Sequence, residues 1–455
     1  MSALAQRIAS STTQLSTHER LLVDAWLIAL LVDRFAFPFD AAQPVGIASL
    51  LLTLLALIGR SPRVAAGAFA FDAVKLVLLM PDMANHLTAL FFVDVLLVWY
   101  LLRSRRAESI ALMQPIRVMA VLLYAVAAVH KMNTSFLDSV TSCATYIANS
   151  TLSWFWLPNL GSGLGALTTW SALAIEVGLP LLLLFPRTRR AAIFIGLAFH
   201  GALAFAPIIG VASFSVFMVA TYVAFFDDVM VERVAQWRRV IPRRVVDAPL
   251  HQQVFVATAI AGAMTVVNRL APGGSFLLAR IAGIVVCAGV LVLLVGRSRM
   301  PAAVERTQTA RTVHPYSVLV AAFILLAAAA PYVGGRTQLA FSMFSNLRTE
   351  TSANHVFLPQ LDLFDMQGDL VTIVEAPSPR FEDISGRELV VPSYEIGRRL
   401  ALVDGVESIT VLEDGQQTTY AGAVMRERFP EPGVLSSWLF RVRATEAVGA
   451  VSCRH

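Results

Sequence analysis

Residues able to do chemistry stand inside apolar runs or at their ends. Asp24, Asp72, Lys75, Asp94, Glu176 and His200 fall within such runs, while Asn85 with His86 and His130 with Lys131 fall where runs begin or end. An ionisable group in hydrocarbon is expensive, so it faces a bundle interior or a water-filled cavity and is a candidate relay, pathway or catalytic group. A partly buried amine suits base chemistry, because desolvation favours its neutral, proton-accepting form. Each residue also has a structural reading. Asp72 and Lys75, three apart on one helical face, can pair with each other. Asp94 or Glu176 can accept from a neighbouring helix, His200 can be a hydrogen-bonded core histidine, and Lys131 can snorkel to the interface. Lys131 differs in its company, since an Asn-His pair and a His-Lys pair at one membrane depth would surround one pocket. Other chemistry lacks its residues. There is no Gly-Lys-Ser/Thr phosphate loop, no Cys-x-x-Cys and no His-Glu-x-x-His, so no metal is expected. Gly161-Ser162-Gly163 lacks the strand and helix of a nucleophile elbow, and with only His200 deep in a run, a haem is poorly supported.

The elements that must position these residues follow from composition. Of 455 residues, 56% are hydrophobic and 15% charged, and mean hydropathy is +0.66. That balance excludes a simple cytosolic enzyme, and disordered, collagen-like and disulfide-scaffold classes as well. About eleven apolar segments approach the length needed to cross a membrane: 21–37, 44–58, 64–80, 84–102, 116–130, 164–185, 191–205, 211–226, 254–267, 276–295 and 316–332. The expected fold is an all-α polytopic membrane bundle of about eleven transmembrane helices, with membrane lipids as partners. Residues 1–19 lack the make-up of a cleavable signal peptide, so the first span is expected to stay. The formal charge of +5 and pI near 9.4 reflect arginines in short loops, a pattern of membrane orientation rather than of nucleic-acid binding. Arg60 and Arg63, Arg103, Arg105 and Arg106, Arg187 to Arg190, Arg233 to Arg244 and Arg297 to Arg311 each follow an even-numbered span. The loops near Asp40, Pro81, Pro207 and Pro272 are nearly free of Lys and Arg. The positive-inside rule then places the N-terminus in the cytoplasm and, after an odd number of spans, the C-terminus outside the cytoplasmic membrane.

From about Gly334 the composition becomes that of an ordinary folded domain, with β-like stretches at 370–375, 388–391 and 408–412. Residues 1–333 thus read as the membrane domain and 334–455 as a small extracytoplasmic α+β or β-rich domain. Cys287 falls in mid-span, whereas Cys143 and Cys453 both fall on the oxidising side. A Cys143–Cys453 disulfide is predicted, the alternative being two unrelated free thiols.

Several segments, in order, resemble a known family. These are Ala84-Asn85-His86-Leu87, the run from Tyr124 to Asn133 that ends in His130-Lys131, Ser135-Phe136-Leu137-Asp138, Glu176-Val177-Gly178-Leu179-Pro180, the turn from Pro186 to Arg190, Phe199-His200 and Phe214 to Met218. More loosely, Phe341 to Arg348 belongs to the set. Together they resemble the vitamin K-dependent γ-glutamyl carboxylase and its bacterial relatives, the horizontally transferred transmembrane domain family, over about residues 13–228. The resemblance implies an enzyme whose catalytic base is Lys131, seconded by His130, with Asn85, His86 and His200 binding the cofactor. It implies a reduced naphthoquinone such as menaquinol, with O2 and CO2 as co-substrates and an acidic peptide or protein as acceptor. In that family the amine deprotonates the quinol, oxygen addition yields a strongly basic alkoxide, and a glutamate carbanion captures CO2. The chain departs from the family where His130 replaces a second lysine, in a longer spacing between His200 and Phe214, and in a much smaller tail. Two other readings stand beside the enzyme: a lipid or small-molecule carrier with Asp72, Lys75, Asp94 and Glu176 along its pathway, and a membrane scaffold whose tail docks a secreted partner.

Overall fold

The computed structural model describes residues 15–36, 44–80, 85–103, 109–236, 248–270, 272–295, 313–342, 344–351, 353–361, 363–364, 366–403, 405–446, 451 and 453. The arginines at 105–106, 238–244 and 297–311, the loops at Asp40 and Pro81, Phe37, Ala84 and Met343 lie outside them.

Every predicted apolar segment falls on a helix. In chain order these are α1 (Thr17–Ala36), α2 (Pro44–Gly59), α3 (Pro62–Leu79), α4 (Asn85–Leu102) and α5 (Ser109–Lys131); after two further helices, α6 (Thr134–Leu137) and α7 (Cys143–Trp154), come α8 (Ser162–Leu184), α9 (Pro186–Ala204) and α10 (Val211–Val223). Beyond α11 (Asp228–Ala235) follow α12 (Leu250–Leu270), α13 (Pro272–Val295) and α14 (Pro315–Ala329). Five stretches are long and apolar enough to cross a membrane: α4, α5, α8, Phe276–Val295 of α13, and Pro315–Val333. Ile47–Gly59 and α10 are apolar but shorter. The expectation of eleven such spans is met by five among the described residues. Polar load explains part of the difference, since α1 carries Asp24, Asp33 and Arg34 and α3 carries Arg63, Asp72 and Lys75. The stretch between the fifth and sixth predicted spans, read as loop, instead forms α6 and α7, capped by Asn133 and Ser142, whose side chains accept from Phe136 N and Ala144 N.

The chain divides into two compact units. The first comprises Met1–Leu78, His86–Leu122 and Gly178–Ala321. In it α1 packs on α10 and α13, and α9 packs on α10 and α13. Trp26 of α1 meets Phe217 of α10 edge to face at 5.0 Å. Leu50 and Leu54 of α2 bury against Ala257 and Ala261 of α12.

The second unit comprises Leu79–Asn85, Leu123–Val177 and Ala322–His455. Its tail forms a four-stranded antiparallel sheet in the order β2-β1-β3-β4, from β1 (Leu370–Glu375), β2 (Val390–Pro392), β3 (Ser408–Glu413) and β4 (Gln416–Ala421). Alternation buries Val371 and Ile373 of β1 and Ile409 and Val411 of β3 on one face, against Ile396, Phe381 and Phe429. Asp414 (φ 50°) and Gly415 (φ 78°) close the β3–β4 hairpin with the paired positive φ values of a type I′ turn. The Ile396 side of the core is supplied by α15 (Ser393–Leu400), where buried Glu395 takes Arg398 Nε and Nη2 at 2.8 Å each and Arg399 Nε at 3.0 Å. Gly397 is needed on this helix because a Cβ there would overlap the backbone carbonyl of Pro430. Gly397→Ala is therefore expected to destabilise the tail by about 1–3 kcal/mol, as overpacking does in a filled core. Thermal melts of the two proteins measure it.

Arg428, which ends α16 (Gly422–Arg428), donates to Asp369 at 2.5 and 2.9 Å, and these bonds hold the Asp369 carboxyl below the ordinary carboxylate range. A folded pKa below the unfolded one gives stabilisation that is complete above an unfolded value of about 4 and lost as pH falls through the folded one. Asp369 is more than half exposed, so the pair contributes only about 1 kcal/mol or less. Melting temperature against pH should accordingly fall less steeply on the acid side in Asp369→Asn than in the native chain.

Candidate functional site

Lys131 is the last residue of α5, and a cation at a helix C-terminus is favoured by the unpaired carbonyls there. Its Nζ lies 3.0 Å from Oε1 and 2.7 Å from Oε2 of Glu176 on α8, both side chains being about nine-tenths buried. The amine also sits 5.7 Å from the Phe136 ring centre. Lys131 was expected in the company of His130, Asn85 and His86; its charge partner is Glu176, a carboxylate that the sequence reading had considered separately.

The end of α5 is held by buried Asn133. Its Nδ2 donates to His130 O (2.7 Å) and Ser345 O (2.6 Å), while its Oδ1 accepts from Phe136 N (2.9 Å) and Asn354 Nδ2 (3.3 Å). Asn354 donates further to Ser135 Oγ and Asn346 O. His130 is buried, its Nε2 3.1 Å from Ala328 O, and its ring lies 5.7 Å from Tyr332, which in turn meets His355 edge-on at 5.4 Å. The buried Tyr332 hydroxyl has no hydrogen-bond partner among the described residues, and such an orphan calls for a ligand or water to complete it. Asn85 Oδ1 accepts from Phe341 N at 3.0 Å. Phe341 belongs to a stretch with four left-handed non-glycine residues, Leu339, Phe341, Phe344 and Asn346, at φ 54–57°. Backbone of this kind costs about 1–3 kcal/mol per residue and persists where surroundings over-determine it, as at binding sites.

Cys143 and Cys453 form a disulfide, as predicted, with Cα atoms 4.9 Å apart. It packs with Phe136, Leu173 and Phe344. Next to it Val451 N donates to Ser135 Oγ (3.1 Å) and Val451 O accepts from Asn346 Nδ2 (2.8 Å). Cys287 is a buried free thiol.

In the first unit, His86 and His200 flank one ring. Phe214 lies 5.8 Å from His86 and 5.4 Å from His200, and His86 Nε2 is 3.4 Å from Ser213 Oγ. Ser213 Oγ also donates to Asp33 Oδ1 at 2.8 Å. Asp33 opens a buried charge cluster in which Arg34 contacts Asp72, Lys75 Nζ lies 3.5 Å from Asp33 and 3.9 Å from Asp72, and Arg34 Nη1 lies 3.6 Å from Asp33. The Asp72–Lys75 pairing read from the spacing is present, drawn into this larger group. Asp24 is half-buried on α1. Sequence reading missed Asp33, Arg34, Asn133 and Tyr332 as site residues; the one available signal was adjacent opposite charges inside a predicted span.

Asn85, His130 and Lys131 thus belong to the second unit with Glu176 and Tyr332, and His86 and His200 to the first. Compared with protein-family models, with curated proteins and with solved structures, the chain matches none.

Proposed function

We propose that the chain is an integral membrane enzyme of the vitamin K-dependent γ-carboxylase type, coupling oxygenation of a reduced naphthoquinone to deprotonation, and carboxylation, of an acidic glutamyl-like substrate. In this reading it belongs to the horizontally transferred transmembrane domain family, and its eleven spans lie in a bacterial cytoplasmic membrane with the N-terminus inside and the tail outside. The observation that carries the proposal is the buried Lys131–Glu176 pair at the end of a helix fit to cross a membrane. Lys131 is the base, and Glu176 holds the proton that Lys131 gives up. Asn133 fixes the helix end so that the amine stays in place, and the His130 and Tyr332 rings offer an apolar face beside the orphan hydroxyl. That pairing of ring faces with an unused donor fits a quinol, which presents a flat ring and two hydroxyl groups. When bound, the quinol supplies electrons to O2 and, through its oxygenation, the strong base that a γ-hydrogen requires. The oxidising compartment that a stable disulfide needs suits an external active site.

The carrier reading draws on the buried grouping of Asp72 and Lys75 with Asp33 and Arg34. Glu176, which it places along the same pathway, is instead engaged by Lys131.

Mass spectrometry of apolar compounds extracted from the purified chain separates the two. Naphthoquinone is expected to co-purify, and Tyr332→Phe is expected to retain roughly fivefold less, the equivalent of one hydrogen bond of about 1 kcal/mol. Extracts holding phospholipid alone contradict the enzyme and put the carrier first.

A further inference from the structure

We propose that the buried charge cluster on α1, α3 and α4 is a proton-binding site whose exchangeable proton resides on Asp94. Charge count and hydrogen bonds carry this site, independently of the role given to Lys131.

Three carboxylates, Asp33, Asp72 and Asp94, share the interior with two permanent cations, Arg34 and Lys75, and all five side chains are at most 2% exposed. One negative charge is therefore in excess. The contacts say which. Asp33 is met by Lys75 and Arg34 and takes the Ser213 hydroxyl; Asp72 is met by Arg34 and Lys75. Both oxygens of Asp94 are buried with no hydrogen-bond partner among the described residues, although the group lies within electrostatic reach of Arg34, Lys75 and Asp33. An isolated carboxylate so placed carries a desolvation cost of several kcal/mol that no direct partner offsets. Addition of one proton from solvent converts it to the neutral acid, makes and breaks no other bond, and leaves two carboxylates, Asp33 and Asp72, opposite two cations, Arg34 and Lys75.

The other groups facing this carboxyl do not remove the excess. His86 lies on its own helix and shares the Ser213 hydroxyl of α10 with Asp33. Tyr316 of α14 is close enough to interact with Asp94 but gives its hydroxyl proton to Phe92 O at 2.6 Å. A metal ion in place of the proton lacks donors, since among the described residues no group of three or more His, Cys, Asp or Glu side chains could hold one. The cluster thus stores one proton inside a membrane unit, where a change in its contacts would release it.

Infrared spectroscopy of the full-length chain in detergent, labelled with carboxyl-13C aspartate, reads the proton directly. A protonated-acid carbonyl band that shifts with the label is expected near neutral pH. It should vanish in Asp94→Asn, whose amide is an isosteric neutral replacement for the acid. In Asp94→Glu the labelled band should vanish and an unlabelled acid band appear, which keeps the test open should the Asn variant fail to fold. A wild-type spectrum with no labelled acid band overturns the proposal, as it would if His86 carried the proton. Survival of the band in both Asp94 variants overturns it equally.

Discussion

Lys131→Met is expected to lower quinol-dependent turnover by about 10²- to 10⁴-fold, the usual range for loss of a general base. It is also expected to destabilise the chain by about 3–5 kcal/mol, because Glu176 is left as an uncompensated buried charge. The two effects separate in the double variant. Lys131→Met with Glu176→Gln removes both charges, so most of the stability returns while activity does not. Glu176→Gln alone keeps the amine but takes away the carboxylate proposed to receive its proton, and turnover should fall with stability less affected. A purely structural pair gives a different pattern: activity would track the folded fraction in all three variants and recover with the double one. Denaturant or thermal unfolding beside oxygen uptake on the same preparations makes the distinction.

The second large effect belongs to the disulfide. Cys143 and Cys453 are separated by 310 positions, and chain-entropy reasoning assigns a loop of that length roughly 5–6 kcal/mol, of which disulfides commonly realise about 2–4. Cys143→Ser with Cys453→Ser is expected to lose about that amount. The loss should reach the site, because the bridge adjoins Val451, whose backbone bonds Ser135 and Asn346, and these connect through Asn354 to the Asn133 that holds the end of α5. The Ser variant should therefore show weaker activity as well as a lower melting temperature, and the native chain should show the same drop on reduction. A melting temperature indifferent to reductant would contradict this account of the tail.

What could be read from sequence follows the physics of each signal. Apolar runs located helices because a long apolar run has few alternatives to helix; β1 and β3 were visible because their alternation is strong. β4 was not, because Gln416–Ala421 is a polar edge strand that pairs by backbone rather than by burial. α7 was hidden for a related reason: Ser, Thr and Asn dilute its apolar stripe, and it depends on the Ser142 cap and on the buried Cys143 side. Lys131, His130, Asn85, His86 and His200 stood out as candidates by type and position. Their partners did not, since Glu176 reaches Lys131 across 45 positions and Asn354 reaches Asn133 across 221. Asp33 and Arg34 fall inside the first predicted span but were not singled out there; packing shows them fully buried.

Oxygen consumption by the purified chain supplied with menaquinol, with the products analysed for quinone epoxide, tests the central claim most directly. Uptake and epoxide that require Lys131, and disappear in Lys131→Ala, are the expected result. Uptake unaltered in that variant, or a native chain inert to quinol and oxygen while folded and disulfide-bonded, would contradict it.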